Sequence, residues 1–268
     1  MIISSSSSIE LLHLGSWTEL KARLLQDHLN GFLFRGHKNI SWELNSSLER
    51  NFVQIKMGDL ATYYVNAYRQ MVETGLFDNG NHSLNEECLG TYCRHLKDES
   101  ADQELPEGTK TPHEAYQRAI HLIWQMQHHE INTHFIDFTL SPYIAAYFAL
   151  FYDNKPLQTD DPRKFPGIAA VNHKNLAMAR LVKRIVGNRK VSPYIHERVL
   201  RQQSHLLDSF GKSHMSVVTY AIHPDWTSEV YTDLMLMNIS GYKLFGTKEK
   251  AAMDFFHAYR FGNVSRGV

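Results

Sequence analysis

Residues 133–153, THFIDFTLSPYIAAYFALFYD, constrain this chain more than any other stretch. Residues 133–139 alternate as a half-buried strand does. Ser141 is a strong N-cap residue and Pro142 suits the first helical position. Residues 143–152 are then apolar all round, the pattern of a helix buried on several sides. The expected unit is strand, tight turn and buried helix, with Asp137 and Thr139 at the mouth of the turn. A second strand raises a sharper question. Phe32, Leu33 and Phe34 read as buried, yet they run directly into Arg35 and Gly36. An arginine in that place needs a buried partner or a ligand at a cleft edge.

The remaining elements follow from local signals. Ser16-Trp17-Thr18-Glu19 has capping-box spacing, so a helix is expected over 17–28, ended by Asn30-Gly31. Residues 41–44 and 47–50 suit a loop leading into a second helix. Residues 55–99 read as mostly helical, with Tyr63, Tyr64, Tyr68 and Met71 on one apolar face and a turn at 78–81. The polar run 97–112 reads as an exposed loop, and a helix resumes over 113–128. Strands are expected at 167–171 and 216–222, the second broken by His223-Pro224-Asp225. An amphipathic helix is expected at 226–237, a short strand at 241–245 and a last helix at 249–259. The class is α+β: a small split β-sheet with several helices, many of them inserted between residue 36 and residue 127. Residues 1–15 read as a polar lead-in and 16–268 as a single domain.

Hydrophobic residues make up 43% of the 268, enough for one sizeable core. Lys plus Arg and Asp plus Glu are 28 each, which argues against bulk electrostatic capture of nucleic acid or an anionic membrane. No 18-residue apolar run suggests a membrane span. The opening MIISSSSSIE lacks the pattern of a secretory leader, so a cytoplasmic protein is expected. Cys88 and Cys93 fit reduced thiols there. The 16 histidines form no His-Glu-x-x-His and join no Cys-x-x-Cys pair, so no metal is expected. Lys183-Arg184 and Arg189-Lys190 form a small basic cluster, either a solvated face or a contact for nucleic acid.

Several side chains carry chemistry. A guanidinium at a strand end can clamp a phosphate with two parallel hydrogen bonds, and Gly36 behind Arg35 would let a ligand approach the backbone. The structural alternative is an ion pair between Arg35 and Asp137. Asp137 and Thr139 are two apart on a strand and share a face, where they would order a sugar hydroxyl or orient Arg35. A carboxylate beside a diphosphate is repulsive unless a cation neutralises it. Gln127 and His128 lie just before the motif strand. His128 suits a general acid or base, a phosphate donor, or a structural histidine at a helix end. Arg198 and Gln202 are four apart and share a helical face.

Three separated stretches together resemble the FRG-domain family. They are Phe34-Arg35-Gly36 followed by Trp42 and Leu44; Gln127-His128 through Pro142 and the Tyr147-Phe148-Ala149 ending; and residues 198–206, RVLRQQSHL. Leu244-Phe245 sits like a further family segment near the C-terminus. Glu130 stands where the family has glycine, Asn132 where it has proline, His134 where it has arginine and Phe138 where it has tryptophan. A more distant likeness is to ADP-ribosyltransferases, in which an arginine ends an early strand, a polar strand runs into an Ala- and Phe-containing helix, and a late glutamate completes the site. That likeness implies NAD as substrate, held by Phe34, Arg35, Gly36, Gln127, Thr139 and Arg198. It implies reactive roles for Arg35, His128, Asp137, Gln202 and Glu249, and a protein or nucleic-acid acceptor. It also implies a bacterial toxin or defence effector. Glutamine at 202 hydrogen-bonds a sugar but stabilises developing positive charge less than glutamate. Two other readings stand beside it: a non-catalytic module binding a nucleotide or nucleic acid, and a hydrolase or nuclease using His128 with Asp137.

Overall fold

The computed structural model describes residues 9–51, 59–77, 81–97, 106–107, 109, 111–152, 159–172, 202–209 and 216–245. In chain order the first elements are β1 (Ile9–Leu12), α1 (Trp17–Leu29), β2 (Phe32–His37) and α2 (Ser47–Asn51). Then come α3 (Leu60–Glu73), α4 (His82–Lys97), α5 (Pro112–His128), β3 (Phe135–Thr139) and α6 (Pro142–Leu150). β4 (Gly167–Asn172), β5 (Ser204–Asp208), β6 (Val217–Ala221), α7 (Thr227–Leu236) and α8 (Gly241–Phe245) follow. The chain forms two compact units, residues 1–44 with 137–268, and residues 45–136. No helix among the described residues is long and apolar enough to cross a membrane.

The first unit is built on a six-stranded mixed sheet in the order β1-β6-β4-β2-β3-β5. β1 runs parallel to β6, while β6, β4, β2 and β3 are successively antiparallel. β2 pairs with β4 along its whole length, from Phe32↔Asn172 to His37↔Gly167. It meets β3 at the single registered pair Phe34↔Thr139. The sheet is thus continuous, and narrowest at the β2–β3 junction.

The buried helix expected at 143–152 is α6. Ser141 Oγ accepts from the N–H of Ile144 at 3.3 Å, and Pro142 occupies the first turn. Seven of its nine residues are buried, including Ile144, Tyr147 and Leu150, each worth about 1.5–3 kcal/mol if fully removed from water. α6 packs with Trp17, Leu20 and Leu24 of α1, Phe34 of β2, Tyr220 of β6 and Val230 and Leu234 of α7. α1 begins as expected: Ser16 Oγ accepts from Glu19 N–H at 3.2 Å and Glu19 Oε2 accepts from Gly15 N–H at 2.9 Å. Asp233 Oδ2 accepts from Trp17 Nε1 and Lys21 Nζ, each at 2.7 Å, and ties α7 to α1. Buried Asp27 accepts from the Tyr220 hydroxyl, tying α1 to β6. Burial and the adjacent carboxylate push the Tyr220 phenol up to about 12.

Two local expectations are corrected, and one strand is added. Residues 241–245 form helix α8, because Ser240 closes a turn: its carbonyl accepts from Leu244 N–H at 2.9 Å and its hydroxyl from Lys243 N–H at 3.3 Å. Part of the polar lead-in, residues 9–12, is strand β1, held by β6. Residues 204–208 are strand β5, beside β3 in the sheet, and Gln203 before it has a left-handed backbone, φ 50. The expected helix at 249–259 lies outside the described residues.

The second unit is the helical insertion. Ser46 and Glu49 make a reciprocal capping box at α2, and Thr111 caps α5. Tyr64, Tyr68 and Met71 of α3 are buried as their spacing predicts, with Tyr63 partly exposed. Cys88 and Cys93 are free thiols buried on α4, and burial pushes the Cys88 thiol up to about 11.

Candidate functional site

The opening arginine lies between two residues committed to the core. Phe34 is fully buried against the α6 cluster. A Cβ on Gly36 would run into the carbonyl oxygen of Ala145 and stand 2.6 Å from the amide nitrogen of Ala149. Phe34 and Gly36 therefore face α6, and strand alternation turns Arg35 to the opposite face. The close approach that Gly36 permits is that of the helix backbone. Arg35, half-buried, donates from Nη1 to the main-chain carbonyl of Asp137 at 2.7 Å. That bond links the two motif strands at their narrow junction and fixes the guanidinium beside the exposed residue Asp137.

Thr139 is pinned on both sides. Its hydroxyl donates to the carbonyl of Gln202 at 2.7 Å and accepts from Ser141 N–H at 3.1 Å. The amide of Leu140 donates to the carbonyl of Gln203 at 3.2 Å, and the Leu140 carbonyl lies 2.9 Å from Nδ1 of His28. Gln202 is itself buried, and its side-chain amide reaches the carbonyl of Leu244 at 3.4 Å. The three motif strands β2, β3 and β5 are thus consecutive neighbours, and Thr139 is the hinge of the arrangement. It is paired with Phe34 on one side and bonded to Gln202 on the other.

The other motif residues belong to the second unit. Thr133 Oγ1 donates to Oε1 of Gln127 at 2.7 Å, while Thr133 N–H donates to Ser47 Oγ at 2.9 Å, so Gln127 braces the turn between α5 and β3. His128 meets the ring of Trp124 edge-on at 4.6 Å. Arg198, Glu249 and the basic pairs at 183–184 and 189–190 lie outside the described residues. Among the described residues no group of His, Cys, Asp and Glu is arranged to hold a metal ion.

Residues 30–158 match the FRG domain. Over those residues the chain carries an FRG domain. The match holds Arg35 and the whole segment from Gln127 to Pro142, and leaves β4, β5 and β6 beyond it. No curated protein and no solved structure matches the chain.

The departures from the FRG pattern now have physical positions. Glu130, in place of glycine, keeps the glycine conformation, φ 63. Its N–H bonds the carbonyl of Gln127 and that of Ile131 bonds Met126, the Schellman ending of α5. His134, in place of arginine, is completely buried. Nδ1 lies 2.6 Å from the Tyr64 hydroxyl and Nε2 lies 2.9 Å from that of Tyr92. Burial lowers this imidazole to about 3, so it is neutral, with one ring nitrogen donating and the other accepting. Asn132, in place of proline, accepts from Asn51 Nδ2 at 2.7 Å, and Phe138 is buried as a tryptophan would be. Sequence reasoning missed the Tyr64–His134–Tyr92 bridge, because its members are 28 and 42 residues apart and no motif spacing connects them.

Proposed function

We propose that the β2–β3–β5 face binds NAD as substrate and that the FRG domain of this chain transfers its ADP-ribosyl group to a macromolecular acceptor in the cytoplasm, as a bacterial toxin or defence effector would. One observation supports the reading above others. Strands β2 and β3, which bear Arg35 and Asp137 to Thr139, and β5, which Gln202 precedes, are consecutive neighbours in the sheet.

In this reading the bond from sugar carbon C1′ to the nicotinamide nitrogen breaks with its electron pair leaving on nicotinamide, while the acceptor nucleophile bonds C1′ and gives up its proton. Arg35, oriented by the Asp137 carbonyl, holds the diphosphate. Thr139 sets the β3–β5 spacing, and Asp137 acts through its main-chain carbonyl, which orients Arg35. Gln202 acts through position, since its amide is engaged with Leu244. That engagement also favours a second reading, a nucleotide-binding module without turnover, because a buried amide stabilises little developing charge.

The test is nicotinamide release from NAD with a cell extract as acceptor source, alongside calorimetric NAD binding, for the wild type and Arg35→Ala. Release and labelled product that both need Arg35 support transfer. Binding without release supports the module. Absence of binding in the wild type sinks both readings.

A further inference from the structure

The α6 side of the sheet carries a cavity of about 630 Å³, a volume typical of small-ligand sites. Ile144 of α6 lines it, whereas Arg35 points away from α6, so the cavity is separate from the Arg35 face. Its wall has two characters. Ser141, Gln203, Asn238 and Lys243 supply polar groups, and Lys243 is the one charged side chain among the described lining residues. The buried side chains of Ile144 and Leu244, with Met237 and Ile239, supply an apolar surface.

Two of the lining residues have left-handed backbones. Asn238, φ 57, closes α7, with Ile239 N–H bonded to the Leu234 carbonyl, a role asparagine fills at little cost. Gln203, φ 50, is exposed, and glutamine pays for that conformation where glycine would not. A fold that keeps a strained glutamine at a cavity wall gains from its amide.

We propose that this cavity is a binding site for a small amphipathic anion: an acidic head group between Lys243 and the Gln203 amide, and an apolar body against Met237, Ile239 and Leu244. One carboxylate, sulfonate or phosphate ester with a short hydrocarbon part has the matching chemistry. The site does not depend on the NAD reading.

The probe is 1-octanesulfonate, titrated calorimetrically into the full chain, with 1-octanol as its neutral counterpart. The expected result is saturable one-site binding of the sulfonate, at least tenfold tighter than the alcohol. Lys243→Gln should bring the sulfonate to the level of the alcohol. Gln203→Gly should weaken sulfonate binding several-fold while raising the thermal midpoint, a pairing that a purely structural glutamine would not give. Met237→Lys, on the half-exposed lip, should weaken the alcohol. Arg35→Ala should bind both like the wild type. The proposal is overturned by no saturable binding at millimolar probe, by equal affinity for sulfonate and alcohol, by wild-type binding in both Lys243→Gln and Gln203→Gly, or by loss in Arg35→Ala.

Discussion

Acid should loosen this protein through one histidine. His134 is completely buried between Tyr64 and Tyr92, and its imidazole is held neutral, titrating only at about 3. In the unfolded chain the same ring takes a proton near pH 6.5. The unfolded state therefore binds the extra proton first as pH falls. The stabilisation is complete above pH 6.5 and is lost progressively between pH 6.5 and about 3. At pH 5.0 the loss is about 2 kcal/mol, from 1.36 kcal/mol for each pH unit below the unfolded value. Other histidines also titrate, so the measurement is a difference. Urea unfolding of the wild type and His134→Gln at pH 7.5 and 5.0 should show the wild type losing about 2 kcal/mol more. Glutamine retains a donor and an acceptor for the two tyrosines but no proton to take up. Equal losses in the two proteins, or a His134 ring resonance in NMR that titrates near pH 6.5, would refute the reasoning.

Other outcomes test the remaining geometry. Glu130→Gly should stabilise by about 0.5–1 kcal/mol, visible as a raised thermal midpoint, because the left-handed residue ending α5 then has no Cβ to accommodate. Gly36→Ala should cost about 3 kcal/mol in urea unfolding, since the atoms in its way are α6 backbone rather than a movable side chain. Thr139→Val should cost about 1–3 kcal/mol by leaving the Gln202 carbonyl and Ser141 amide unmatched, whereas Thr139→Ser should cost much less. At pH 8 a thiol reagent should modify Cys88 and Cys93 only after denaturant is added; rapid reaction in the native state would contradict their burial and the raised Cys88 titration.

What could be read beforehand was local. The β3–turn–α6 unit follows from Ser141, Pro142 and an unbroken apolar run, all within twenty residues. The insertion helices follow from caps and the Tyr64, Tyr68, Met71 spacing. β1 was hidden because four residues after a serine run carry no period of their own, and only pairing with β6 makes them a strand. α8 was mistaken because five apolar and basic residues suit either period, and the Ser240 turn decides. At the site, the resemblance brought Arg35, Asp137, Thr139 and Gln202 to one part of the sheet. It did not reveal that Gly36 serves α6, that Gln202 is turned inward to Leu244, or that Gln127 braces Thr133. Those outcomes depend on which neighbour reaches a polar group first, and residue type alone does not fix that.

The pairing of Phe34 with Thr139 has a consequence for how the chain assembles. Antiparallel neighbours are usually joined by a hairpin, but here the whole helical insertion lies between them. Closing a flexible loop of about a hundred residues costs roughly 3 kcal/mol more entropy than closing a tight hairpin. Helices that condense early shorten that excursion before the strands must meet. The connection therefore favours an order in which the insertion forms before the β2–β3 junction. A substitution that weakens only the helices should slow sheet formation while leaving every strand contact unchanged.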